Sequence, residues 1–281
     1  MRNPLTAERL AQAYQSACMA ELQALKPGNV HLFADGHGMT IHDFIKSAEA
    51  SAAVIAQTDL TVGERIYLAV EATQKAVGLN TNLGVILLCA PLIHAALLGN
   101  SALSFEENLI HTLSQLTVED AELTAKAIVL ANPAGLGRSH QHDVNETPHV
   151  TLLEMMRVAA HKDRIAWQYA NAYQDIMAFG LQSYTKAIAR WQNPAWATTA
   201  LYLDFLAHRL DTHIARKYGE TFATSVMLEA QPFETIFLAS DNPKLVHKKL
   251  LDWDASLKKR NINPGTSADF TVATVLVSLI V

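Results

Sequence analysis

The chain has 281 residues and a formal net charge of −5; half of its residues are hydrophobic and only 17% are charged. A sequence so apolar buries a sizeable core and is not a disordered segment. Its longest basic run is Lys258-Lys259-Arg260, which excludes a nucleic-acid groove and leaves any phosphate-bearing ligand to a few local cations and metal ions.

Helix signals dominate from the start. An apolar-periodic run over 5–25, carrying Glu8, Arg9 and Glu21, begins with no signal peptide, so the protein reads as cytoplasmic. It stops at Lys26-Pro27-Gly28-Asn29-Val30-His31, followed by Gly36-His37-Gly38. Pro27 ends the helix and Gly28 allows a left-handed backbone. Such a turn either simply closes a helix or aims N–H groups and Lys26 at an anion. Five capping-box spacings follow: Thr40-x-x-Asp43, Thr61-x-x-Glu64, Ser104-x-x-Glu107, Thr117-x-x-Asp120 and Thr151-x-x-Glu154. Each precedes a helical apolar pattern, as over 41–56.

The run 83–98 is apolar all round and reads as a central helix that Pro91 kinks or ends. It follows Asn80-Thr81-Asn82, which serve either as caps or as a phosphate site at a helix start. Helices are expected over 104–115, 117–131, 151–160, 163–190, 195–217, 219–228, 232–239, 243–259 and, despite its β-branched residues, 270–279. Strand signals are scarce and no Pro/Gly/Ser-rich linker divides the chain, so the expectation is one all-α domain over 1–281. The longest irregular stretch, 132–150, holds Gly135-Leu136-Gly137-Arg138, His140, His142 and Asp143, and a loop that long is usually functional. Cys18 and Cys89 read as buried free thiols. No apolar run reaches the roughly 20 residues that cross a bilayer, so no membrane span is expected. The low charge content leaves room for a buried homodimer interface.

Two further polar clusters stand at helix ends: Asp211-Thr212-His213 with Arg216-Lys217, and Pro264-Gly265-Thr266-Ser267-Ala268-Asp269. One such cluster is an ordinary cap. Five in one chain suggest helix ends gathered around a polyanion.

The motifs Lys26-Pro27-Gly28, Asn80-Thr81, Asp211-Thr212 with Lys217-x-Gly219, and Pro264-Gly265-x-Ser267-Ala268-Asp269 resemble those of the triphosphoribosyl-dephospho-CoA synthase family, in the family's order. The resemblance implies an all-helical enzyme that uses ATP unusually. An acceptor hydroxyl displaces adenine at the ribose C1′, and the whole triphosphoribosyl group moves to dephospho-CoA. The chain departs from the family at its second motif, where Asn82-Leu83 replaces a His-Lys pair. It looks more like a divergent branch associated with tetrahydromethanopterin synthesis, which makes a pterin precursor a second acceptor candidate.

On this reading ATP is held by Lys26, Gly28, Asn29, Asn80, Thr81, Asn82, Arg138, Arg216, Lys217 and Ser267. Asp211, Asp269 and Glu21 are the candidate ligands of a Mg²⁺ bound with it. Asp143, oriented by His142, is the expected proton-transfer group, with His31 second. A metal-dependent nucleotide hydrolase built on His142-Asp143 and a non-catalytic nucleotide-binding module are the alternatives.

Overall fold

The computed structural model describes residues 5–99, 103–133 and 147–281. Arg138, His142 and Asp143 therefore lie outside the described residues. Within these stand α1 (Ala7–Gln23), α2 (Ile41–Ile55), α3 (Val62–Val77), α4 (Leu83–Leu98), α5 (Phe105–Ser114), α6 (Val118–Ala131) and α7 (Leu152–Ala159). The second half adds α8 (Arg164–Ala170), a π-helical turn at Asp175–Gly180, α9 (Leu181–Trp191), α10 (Pro194–His208), α11 (Thr212–Tyr218) and α12 (Glu220–Ala239). A 3₁₀ turn at Pro243–Val246, α13 (His247–Lys259) and α14 (Gly265–Ile280) complete it. Among the described residues the β pairing is confined to two isolated bridges, His31 with Ala34 and Gly36 with Met39. The fold is all-α, as the periodicity implies.

All five capping boxes form: each hydroxyl accepts an N–H three residues on, and each carboxylate returns to the cap's own N–H. Asp120 does more, its Oδ1 accepting the Gly63 N–H at 2.7 Å and so fastening α6 to the start of α3. The apolar interior gathers in two clusters, one around α4 and the other around α10 and α12. The start of α14 and the end of α1 meet at their seam, with Ala268 and Leu25 in the second cluster and the bodies of both helices in the first.

Pro91 does not end α4. Its missing N–H orphans the Leu87 carbonyl one turn earlier, and Tyr169 Oη donates to that oxygen at 2.6 Å. Tyr173 Oη reaches the next carbonyl, Leu88, at 3.1 Å. That need also breaks the helix expected over 163–190. Ala172 and Tyr173 take left-handed backbone, φ +49° and +60°, so that both rings turn onto α4. Replacing Tyr169 with Phe leaves a buried carbonyl unsatisfied, and the expected loss in urea unfolding is about 1–3 kcal/mol. A loss below about 0.5 kcal/mol would show that the hydroxyl is not what rescues Pro91.

The helix expected over 195–217 is two, because Asp211 caps a new one, accepting the Ile214 N–H at 3.1 Å. Conversely, the two helices expected over 219–228 and 232–239 are one, Glu220–Ala239, continuous through Pro232. The carbonyl that this proline orphans belongs to Leu228, a residue 54% exposed on the solvent side of the helix.

Inside α10, Asp204 packs against Ser183 of α9 and Glu234 of α12. Ser183 Oγ donates to Asp204 Oδ2, while Oδ1 finds no donor among the described residues. Burial, and then Glu234, push the carboxyl from 3.8 up to about 6. The folded chain thus holds this proton more tightly than the unfolded one, so the contribution to stability is complete below about pH 4 and lost as pH rises through about 6. Asp204→Asn keeps an acceptor for Ser183 and removes that slope. The expected gain is about 1–3 kcal/mol at pH 7.5 and none at pH 4, read by urea unfolding at both.

Candidate active site

The turn after α1 is tied down on every side. Tyr202 Oη donates to the Pro27 carbonyl at 2.7 Å, the Leu25 N–H to Thr199 Oγ1 at 3.0 Å, and Asn29 Nδ2 to Asn263 Oδ1 at 2.8 Å. Gly28 sits at φ +87°, where a Cβ would lie 2.8 Å from Pro264 Cδ. Its N–H goes to Asp254 Oδ1 at 2.8 Å and its carbonyl meets His37 Nε2 at 2.8 Å. The expected anion cradle at Gly28 is therefore absent, because its donor is already spent.

Lys26 is likewise not the open cation that its position suggests. Its side chain is 0% exposed, and Nζ donates to the Glu21 carboxylate and, at 3.0 Å, to Asn29 Oδ1. Burial lowers the ammonium's pKa and raises that of the Glu21 carboxyl, each partner offsetting part of the other's shift. Lys26 braces from behind two residues, Glu21 and Asn29, that do face the cavity described below.

Three more expectations are corrected in the same way. His31 is 1% exposed, with Nδ1 accepting the Phe33 N–H at 3.2 Å and Nε2 3.4 Å from Asp254 Oδ1. It lies off the cavity and holds the turn rather than a substrate proton. Asp211 spends Oδ1 on the α11 cap and Oδ2 on the N–H and Oγ of Ser267, both at 2.9 Å. It fastens the starts of α11 and α14 together, 2% exposed, with both oxygens engaged and the residue off the cavity. Ser267, spent on Asp211, has no hydroxyl to offer a phosphate.

What the turns surround is a cavity of about 870 Å³. The start of α4 opens onto it. Asn80 Oδ1 accepts the Leu83 N–H at 3.3 Å, but Asn82 makes no cap and instead donates to Ser51 Oγ at 3.2 Å. Thr81 donates to Ser47 Oγ at 2.6 Å. No described side chain closes the rest of α4's first turn, whose residues Leu83, Gly84 and Val85 line the cavity at the positive end of the helix dipole.

Asp269 lies against this same turn. A Cβ on Gly84 would overlap its carboxylate, so glycine is what permits the approach. No described residue hydrogen-bonds to Asp269. Burial, and then Asp211 and Glu21, hold its carboxyl well above the usual range. A carboxylate so placed calls for a cation.

Across from it, Arg216 Nη1 donates to Asp163 Oδ2 at 2.9 Å, while Asp163 Oδ1 caps α8 through the Ile165 and Ala166 N–H groups. Arg216 Nε is buried and without a partner among the described residues. Lys217 also faces the cavity, its Nζ 3.4 Å from the Asn261 carbonyl. His213, Asp163 and Asn263 line it too; all three stand in or beside the polar clusters of the sequence, but none was expected as a site residue. Burial, and nearby Arg216, lower the His213 pKa despite Asp211, favouring a neutral imidazole.

The structure thus brings Glu21, Asn29, Asn80, Thr81, Asn82, Arg216, Lys217 and Asp269 to one cavity. It leaves Lys26, Gly28, His31, Asp211 and Ser267 in the scaffold behind it. No helix among the described residues is long and apolar enough to cross a membrane.

Comparison with known proteins bears on the fold and the family. A crystal structure of a candidate triphosphoribosyl-dephospho-CoA synthase from Archaeoglobus fulgidus superposes with a TM-score of 0.63 at 20% identity, covering 85% of this chain and 97% of that one. At that identity the likeness is one of fold. No curated protein matches the sequence. The family model for ATP:dephospho-CoA triphosphoribosyl transferase (CitG) matches residues 7–281, nearly the whole chain, and the protein therefore belongs to that family of transferases.

Proposed function

We propose that this enzyme moves the triphosphoribosyl group of Mg²⁺-bound ATP onto an acceptor hydroxyl and releases adenine. One observation carries the reading: the open start of α4, the cations Arg216 and Lys217 and the carboxylates Glu21 and Asp269 converge on a single cavity. The triphosphate takes the α4 N–H groups, Arg216 and Lys217, with Asn29 and Asn80 beside them. Glu21 and Asp269 fit a Mg²⁺ held jointly with phosphate oxygens, since no three described His, Cys, Asp or Glu side chains form a cage of their own. The ion would neutralise phosphate charge.

In the transfer the acceptor's O–H bond breaks and its oxygen bonds to C1′. The C1′–N9 bond breaks with its electron pair going to the base, which takes up a proton. Neutral His213, at the cavity, is suited to accept the acceptor's proton.

Dephospho-CoA is the family's acceptor. A pterin-linked hydroxyl is the finer reading, favoured by Asn82-Leu83, which puts no cation at the start of α4 to meet an acceptor's charge. Incubation with Mg²⁺-ATP and either dephospho-CoA or a dephosphorylated pterin precursor should release one adenine per adduct, seen by mass spectrometry. Phosphate without adenine would mean hydrolysis instead and would refute the proposal.

A further inference from the structure

Beside the polar turns, and beyond Lys162 and Asp163 in the link between α7 and α8, part of the cavity lining has a different chemistry. Every residue that α7 and α8 give to the cavity is apolar, led by Met155, Met156 and Ile165. Ile128 of α6 and Leu83 and Val85 of α4 extend it. At its edge stands one amide, Asn132, the C-cap of α6 held in left-handed backbone at φ +44°. Its side chain is exposed and makes no hydrogen bond among the described residues. Thioethers pack well on flat rings, and an Asn amide can pair at once with the N6–H and N7 of adenine.

We infer that Met155 and Met156, with Asn132 at the edge, hold the adenine of ATP. The triphosphate and the base then occupy neighbouring parts of one cavity that meet at Gly84 and Ile165, with the ribose C1′ between them. The departing base leaves C1′ while still seated, so the acceptor oxygen meets an open carbon. This rests on the reading under Proposed function and adds the seat of the leaving group.

Two probes separate the two claims: free adenine for the wall, and tripolyphosphate for the polar turns, each titrated calorimetrically into the full chain. The parent is expected to bind both, and to prefer adenine over hypoxanthine, which lacks the N6 amine. Asn132→Ala changes an exposed side chain, so its fold should be intact by circular dichroism. It is expected to weaken adenine about tenfold and to erase the preference over hypoxanthine. The Met155→Ala/Met156→Ala double variant is expected to weaken adenine further, and both variants should hold tripolyphosphate within about twofold of the parent. If Asn132→Ala and the double variant bind adenine as the parent does, or if the parent binds tripolyphosphate but not adenine, the seat is elsewhere and only this inference falls. If the parent binds neither probe, the proposed function falls with it.

Discussion

Asp269→Asn is expected to lower adenine release from Mg²⁺-ATP and dephospho-CoA by about 10²- to 10³-fold, the scale on which removing one preorganised electrostatic contact slows an enzyme. The expectation follows from what surrounds the carboxylate. It has no donor among the described residues, it faces Glu21, and it lies on the open turn of α4 that would carry the phosphates. Burial and the neighbouring Asp211 and Glu21 oppose its charge more strongly than Arg216 favours it, so the charge does not support the fold. The urea midpoint should therefore stay level or rise. Gly84→Ala makes the same point without removing the carboxylate: the added methyl claims the space that Asp269 occupies, and activity should fall with the carboxylate displaced. Adenine release is followed by chromatography. An Asp269→Asn variant within tenfold of the parent would mean that this carboxylate serves the scaffold and that the charge on the triphosphate is met elsewhere.

How far the sequence could be read differs between fold and site, for a physical reason. Capping is local: Thr117 and Asp120 are three residues apart, and their mutual bonds follow from that spacing alone, so all five boxes are legible. The breaks at 171–174 and 209–211 are not local. One exists because Tyr169 and Tyr173 answer α4 carbonyls more than eighty residues away. The other exists because Asp211 serves two helix starts at once.

The site divides along the same line. Its motifs were legible as clusters of polar residues at helix ends, but a motif does not say which member faces the ligand. Asp211 and Asp269 look alike in sequence; one has both oxygens taken by N–H and O–H donors and the other has no donor among the described residues. The same holds for Lys26 and Arg216, one fully enclosed and the other at the cavity. The adenine seat that we infer had little signal of its own, since adjacent methionines inside a helix read as ordinary core and Asn132 merely opens the long irregular stretch.

Lys26→Met should cost about 3–5 kcal/mol of stability, the usual consequence of stranding one partner of a buried ion pair. The side chain is fully enclosed, and its ammonium is shared by Glu21 and Asn29. Methionine matches its length but leaves the Glu21 carboxylate, 7% exposed, without a donor among the described residues. Adding Glu21→Gln should return more than half of the loss, because a neutral amide no longer needs the cation. A double-mutant cycle in urea then reads the coupling directly, expected at or above about 1.5 kcal/mol. Activity should fall in the single variant through the disturbed Glu21 and Asn29, and it should not return with the second substitution, which removes the proposed magnesium ligand itself. Tripolyphosphate binding separates this account from the simpler one in which Lys26 touches phosphate. If Lys26→Met kept the parent's stability and lost tripolyphosphate, the lysine would be a ligand after all, and the enclosed brace seen between α1 and its turn would not be the form of the protein that binds.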